Sequence, residues 1–312
     1  MPLSERYQRQ VALLIYAMPF VAAEKDFALK GGTAINLFVR NMPRLSVDID
    51  LTYLPVAGRP ESLAAIDTAM KRMAAAIRKG LRGAKVTEVV NVREQVVTKL
   101  TVQQTDAQIK IEVTPVLRGC VFTPETRSVS PAVEDAFGYA ETQVVSFADL
   151  YAGKIMAALD RQHPRDLFDI RDLLANEGIS DDLRRAFLVY LVSHDRPLSE
   201  VLAPSRKDIA HEFAQGFEGM TTVAVPLAEL EKARETLIAT MTGEMPDPHR
   251  QFLLGFKRGE PDWTLIGLPE AAELPAVRWK QLNLDKLSPE FRKRLVDQLA
   301  DALARGGAPL KG

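Results

Sequence analysis

Apolar residues recur along this 312-residue chain with two different periods, and the change of period divides it. From Tyr7 to Val21 they return every three or four positions, which predicts an opening helix. Phe27–Leu29 is a short apolar segment, broken at Gly31-Gly32 before a second predicted helix from about Thr33 to Arg40. Val47–Tyr53 alternates in the manner of a strand. Between Pro60 and Leu81 the residues Leu63, Ile66, Met70, Met73, Ile77 and Leu81 fall on one helical face. Three alternating runs follow, Val86–Val92, Gln95–Gln103 and Ala107–Val116. Their short separations predict an antiparallel meander.

After Ser146 the pattern turns almost wholly helical. Ser146 and Asp149 read as N-cap and first-turn acid of a helix Phe147–Leu159, and Pro164 suits the first turn of Arg165–Leu174. Further helices are predicted at Asp182–Ser193, Leu198–Leu202, Leu227–Met241, Pro248–Lys257 and Pro289–Ala304. The expected architecture is α+β: a catalytic core of mixed sheet and helices over residues 1–145, then a mostly helical domain over 146–312.

Composition removes several classes. Hydrophobic residues make up 46% and charged residues 26%, which excludes wholesale disorder. No apolar run approaches the roughly 20 residues of a membrane helix; Val11–Ala23 is the nearest, and Pro19 interrupts it. Glu5, Arg6 and Arg9 make a poor signal peptide, so a soluble cytoplasmic protein is expected. Cys120 is the single cysteine, which excludes an intramolecular disulfide and a cysteine-based zinc site. It is expected to be a buried or half-buried spectator, and His163 to mark a helix start. The net charge is −1, yet Lys30–Arg118 holds 14 Lys or Arg against 8 Asp or Glu. The excess gathers at Lys71, Arg72, Arg78, Lys79, Arg82 and Lys85. Such a run is either a solvated helix face or a footprint for a phosphate backbone.

The candidate chemistry lies in three pieces. Gly31-Gly32 at the start of a helix lets main-chain N–H groups approach a phosphate, and the Thr33 hydroxyl adds a donor. Asp48 and Asp50 sit two apart on a strand and share a face, with Val47, Ile49 and Leu51 on the other. Adjacent carboxylates repel unless compensated, and Mg2+ (or Mn2+) with substrate phosphates supplies that compensation. A Gly-Gly turn and a D-x-D pair are each, alone, more often ordinary turn and solvated strand. In the third piece Lys110, Glu112 and Thr114 share one strand face while Ile109, Ile111 and Val113 share the other. Placed in one sheet, Glu112 would complete a three-carboxylate, two-metal site for in-line displacement on a nucleoside triphosphate, or act as base for the attacking hydroxyl.

Gly31-Gly32-Thr33 followed by Arg44-Leu45-Ser46-Val47-Asp48-Ile49-Asp50-Leu51 resembles the first motif of the AbiEii/AbiGii nucleotidyltransferase-like toxins, relatives of the MenT toxins in the DNA polymerase beta-like nucleotidyltransferase superfamily. The resemblance continues through Lys110-Ile111-Glu112-Val113, the helix bearing Lys154, and Arg165-Asp166-Leu167-Phe168-Asp169-Ile170. It extends to Phe252-Leu253, Pro261-Asp262-Trp263 and Leu274–Lys280. It implies a polymerase beta-like mixed sheet and nucleotide transfer from an NTP, with MenT-like members acting on tRNA 3′ ends and blocking aminoacylation. It also implies triphosphate contacts from Gly32, Thr33 and Lys154, metal ligation by Asp48 and Asp50, and a catalytic acid at Asp166, with Asp169 the weaker candidate. Glu112 departs from the aspartate common at that position.

Competing readings remain at several positions. Lys154 or Arg165 pairs with Asp166 and Asp169 as a structural ion pair, or the set is catalytic. Arg40 and Arg44 are surface arginines, or they contact RNA or triphosphate. Lys71, Arg78, Lys79 and Arg82 are the remaining candidates for RNA contact. Trp263 and Trp279 are expected to pack, with base stacking as the alternative. The resemblance implies a cognate antitoxin, a winged-helix protein or a kinase. Transfer to a protein or small-molecule hydroxyl, and a non-catalytic binding module of the same fold, are the rival functions. No G-x-x-x-x-G-K-[ST] or G-x-G-x-x-G motif is present, which removes P-loop NTPases and dinucleotide folds.

Overall fold

The structure, a computed structural model, describes residues 5–309. Two compact units divide it. The first runs to Ser146 and takes in Glu218–Ala224; the second comprises Phe147–Phe217 and the chain from Val225 onward.

The first unit contains α1 (Glu5–Ala22), β1 (Phe27–Lys30), α2 (Gly31–Thr33), β2 (Asp48–Tyr53), α3 (Arg59–Gly80), β3 (Lys85–Asn91), β4 (Val96–Gln104), β5 (Ala107–Arg118), β6 (Glu125–Ser128), α4 (Pro131–Phe137) and β7 (Glu141–Val144). The strands form one mixed sheet in the order β3-β4-β5-β2-β1-β7-β6. The meander β3-β4-β5 is antiparallel as its spacing predicts, while β2/β5 and β1/β7 are parallel.

Strand alternation sets the two faces. Ile49, Leu51, Leu100, Val102, Ile109, Ile111 and Val113 are buried on one side, against α1 and α3. Pro60 stands in the first turn of α3 with Glu61, and Arg78 and Lys79 stand in its last, which suits both ends of the helix dipole. Ile66, Met70, Met73 and Ile77 on its inner stripe are buried, each contributing about 1.5–3 kcal/mol. The carboxylates of β2 and β5 project from the opposite face of the sheet.

The helix expected from Thr33 starts earlier and is not regular. α2 begins at Gly31 and continues as a π-helical stretch, Ala34–Val39, closed by Arg40 N–H donating to Ile35 O at 2.7 Å. β6, α4 and β7 have no counterpart in the sequence reading, because their segments are short and β6 is wholly polar. The segment Glu218–Ala224 returns to the first unit by main-chain bonds. Leu45 N–H donates to Met220 O (3.0 Å) and Thr222 N–H to Pro43 O (3.1 Å), around an antiparallel bridge between Arg44 and Thr221.

The second unit is helical: α5 (Phe147–Arg161), α6 (Pro164–Asn176), α7 (Asp181–Ser193), α8 (Leu198–Leu202), α9 (Ala210–Gly216), α10 (Leu227–Ile238), α11 (Asp247–Arg258), α12 (Pro275–Asp285) and α13 (Pro289–Ala304). α9 and α12 are absent from the sequence reading. α5 packs on α7, and α6 packs on α10. His163 caps α6, its Nδ1 accepting from Arg165 N–H at 3.1 Å. Trp263 packs edge-on against Phe252, as expected. Trp279 is not core: it is 55% exposed, with Lys286 Nζ 6.0 Å from its ring centroid.

Candidate active site

The polar face of the sheet carries a cross-strand row. Lys30 of β1 stands opposite Asp50 of β2, Asp50 opposite Glu112 of β5, and Glu112 opposite Lys99 of β4. One step along the strands, Asp48 stands opposite Lys110. Directly opposed residues project to the same face with Cβ atoms about 5 Å apart. Sequence reading therefore placed Asp48, Asp50 and Glu112 on one face correctly. It missed Lys30, Lys99 and Lys110 as their partners, because the strand register is not written in any one strand.

Glu112 is ion-paired with Lys99, both half-exposed. Lys30 donates to Thr114 Oγ1 at 3.3 Å. Burial pushes the Lys30 ammonium below its usual range, against the opposing pull of Asp50.

At the chain reversal between β1 and α2, Gly31 has φ +76°, and a β-carbon there would lie 2.6 Å from Asp50 Oδ2. Only glycine fits both conditions. A β-carbon on Gly32 would meet Arg44 Nη2 at 2.8 Å and Ser46 Oγ at 3.0 Å. Asn36 Nδ2 donates to Gly32 O at 2.9 Å.

Two expected roles change here. Arg44 is 2% exposed, and its Nη1 donates to Leu45 O at 3.0 Å. It is a buried arginine laid over the glycine turn, not a surface arginine, because the returning segment at Met220–Thr222 covers its loop. Thr33 is fully buried, and its hydroxyl donates to the Asp48 carbonyl and is hydrogen-bonded to Ser46 Oγ at 3.0 Å. Its side chain ties α2 to β2 and is not presented as a phosphate donor. Arg40, by contrast, is half-buried.

The basic run does not stand beside the carboxylates. α3 lies on the apolar side of the sheet, and part of its charge is matched within the unit. Lys71 pairs with Asp67 (2.6 Å), Arg72 with Glu24 (2.7 Å) and Arg78 with Glu88 (2.8 Å). Lys79 and Arg82 are exposed. This is the solvated-face arrangement more than a footprint next to the site.

In the second unit Lys154 of α5 is buried between two carboxylates of α6. Its Nζ lies 2.9 Å from Asp166 Oδ1 and 2.9 Å from Asp169 Oδ2, while Arg161 reaches Asp166 Oδ2 at 2.8 Å. Burial alone would raise the Asp166 carboxyl. Lys154 and Arg161 outweigh it, with a hydrogen bond from Lys154, and hold it below the usual carboxylate range. The spacing of Asp166 and Asp169 on one face of α6 makes both reach the same ammonium. Arg165 takes no part in these pairs.

Among the described residues no group of three or more His, Cys, Asp or Glu side chains is arranged to hold a metal. The three-carboxylate, two-metal arrangement is thus not assembled, since Glu112 is turned to Lys99. Asp48 and Asp50 remain two hard oxygen donors on one strand face, the ligand type that Mg2+ uses together with substrate phosphates. In that reduced form the residues fit a divalent ion. No helix among the described residues is long and apolar enough to cross a membrane.

Comparison with known proteins bears on this arrangement. No curated protein matches the chain in sequence. Among solved structures, the nucleotidyltransferase toxin MenT4 of Mycobacterium tuberculosis H37Rv is similar in fold. Its TM-score is 0.61 at 16% identity, covering 96% of this chain and 94% of MenT4. The family model for the nucleotidyl transferase AbiEii toxin of type IV toxin–antitoxin systems matches residues 13–281. A match of that extent includes the glycine turn, the β2 carboxylates and the Lys154 cluster, and the chain belongs to the AbiEii nucleotidyltransferase toxin family.

Proposed function

We propose that this toxin transfers a nucleotide from an NTP to a hydroxyl of RNA, at the tRNA 3′ end, and so blocks translation in the cytoplasm. The observation that carries the transfer chemistry is the contact of Asp50 with Gly31, which joins a carboxylate pair to a turn whose main-chain N–H groups suit phosphate. The acceptor oxygen bonds to the α-phosphorus, the bond to the bridging oxygen breaks, and pyrophosphate leaves with that electron pair. Glu112 accepts the hydroxyl proton. Asp48 and Asp50 would hold Mg2+ or Mn2+, which supplies charge neutralisation for the triphosphate. Lys154, ion-paired with Asp166 and Asp169, is the cation that this reading assigns to the triphosphate.

The RNA acceptor rests on the resemblance to MenT-like toxins. The basic helix, which had favoured RNA, lies on the other side of the sheet and lends it no support. A winged-helix or kinase antitoxin is the expected partner.

The test is transfer from each labelled NTP to total tRNA with Mg2+, beside Asp48→Ala and Lys154→Ala. Label in tRNA that both variants abolish supports the proposal and names the nucleotide. Label on protein or a small molecule instead moves the acceptor and keeps the chemistry. Absence of both transfer and NTP binding removes the catalytic reading and leaves a binding module.

A further inference from the structure

We infer that the polar face of the β3-β4-β5 meander carries the RNA acceptor to the carboxylates, with Lys85, Lys99 and Lys110 on its phosphates. The inference rests on the RNA-transfer reading above. It goes beyond that reading by placing the acceptor on one surface and naming the residues that hold it.

Register assembles the surface. In one row across the sheet, Lys85 of β3 stands opposite Gln103 of β4, and Gln103 opposite Gln108 of β5. In the next, Thr87 stands opposite Thr101, Thr101 opposite Lys110, and Lys110 opposite Asp48. The third starts at Val89 and passes through Lys99, Glu112 and Asp50 to Lys30 of β1. α1 and α3 pack on the other side of the sheet, and Lys85, Thr87, Gln103 and Gln108 are exposed.

These rows hold four lysines and three carboxylates, unevenly divided. The share of β3 and β4 contains Lys85 and Lys99 and no carboxylate, while every carboxylate stands on β5 or β2. A polyanion is therefore attracted along the meander, and its end is led to Asp48 and Asp50. Thr87, Thr101 and Gln103 stand between the cations, with hydroxyl and amide groups suited to 2′-hydroxyls and base edges.

Two features set this surface apart from the triphosphate site and from α3. Lys85 lies three strand spacings from β2, about 14 Å, beyond a triphosphate held at the glycine turn. Among the described residues neither Lys85 nor Lys110 is ion-paired, whereas Lys71, Arg72 and Arg78 of α3 all are. Lys99 is paired with Glu112, and so joins the cationic strip to the carboxylate assigned to the hydroxyl proton. The plainer reading is a polar face that only keeps an antiparallel sheet wetted. It predicts that single charge changes on β3 leave RNA binding alone.

The measurement is fluorescence anisotropy of dye-labelled total tRNA with the full chain, over a salt series and without NTP. Lys85→Thr is expected to weaken binding about fivefold at about 0.1 M salt and to flatten the slope of log K against log salt by about 0.7, as for one phosphate contact on a single strand. Thr87→Lys adds a cation to the same face and is expected to tighten binding by a similar factor, a gain that damage to the fold does not produce. In transfer assays Lys85→Thr should raise KM for tRNA while kcat and KM for the NTP stay within about twofold of wild type. Binding that neither variant changes overturns the inference and leaves transfer to RNA standing. Absence of tRNA binding by wild type, with label passing only to protein or a small molecule, removes the RNA reading and this inference with it.

Discussion

The carboxylate of Asp50 is pressed against the main chain at Gly31, close enough that a β-carbon there would lie 2.6 Å from Oδ2. Gly31→Ala therefore meets two penalties, a left-handed backbone conformation and an overlap with a carboxylate. We expect a loss of about 2–3 kcal/mol in urea unfolding and at least a tenfold drop in nucleotide transfer. At Gly32 the nearest atom is the end of the flexible Arg44 side chain. Gly32→Ala should thus cost less stability than Gly31→Ala, and the reverse order would show that Asp50 yields more readily than Arg44.

Removal of the Lys154 ammonium leaves two buried carboxylates facing each other. Lys154→Met is expected to destabilise the chain by about 3–5 kcal/mol, measured by denaturant unfolding. Lys154→Arg retains the charge and should lose much less stability. If transfer collapses in the arginine variant while the fold holds, position of the ammonium matters to the chemistry beyond its part in the ion cluster.

The same cluster sets an acid limit. The folded-state pKa of Asp166 is depressed below the ordinary aspartate value of 3.8. The unfolded chain therefore binds a proton more readily than the folded one, and the contribution of Asp166 to stability is complete above that value. It declines as pH falls below 3.8 and is lost once pH passes the folded value. Wild type and Asp166→Asn should then converge in stability with acidification across this window. Parallel curves would mean that the carboxyl titrates alike in both states.

The exposed cations of α3 give a prediction opposite to the one its charge run invites. Because α3 covers the apolar side of the sheet, Lys79→Glu with Arg82→Glu should leave transfer to RNA within about threefold of wild type at moderate salt. A larger loss, steeper at low salt, would restore a phosphate-backbone footprint on this helix.

The parts of this molecule legible in its sequence are those with a local period. Asp48, Asp50 and Glu112 announce their shared orientation by alternation, and the stripe from Leu63 to Ile77 marks α3 to within a residue or two. What depends on partners distant along the chain stays hidden. Lys99 looks like any polar strand residue until β4 is set against β5 in register. Arg44 looks exposed because arginine usually is, and the residues that pair with its loop, Met220–Thr222, lie far along the chain. Trp279 fails in the other direction: its type suggests packing, but more than half of it is exposed, and Lys286 stands over its ring. β6 and β7, four residues each, are too short to show any period.

The return of Glu218–Ala224 to the first unit has a consequence for synthesis. The chain leaves the ribosome from its N-terminus, so β1, β2 and the glycine turn emerge long before Met220 exists. The loop of Arg44 and Ser46, which leads into Asp48, cannot acquire its main-chain partners at Met220 and Thr222 until most of the polypeptide has been made. The loop that leads into the strand of Asp48 and Asp50 is therefore completed late in translation. A chain cut short before that segment would lack both of these main-chain partners.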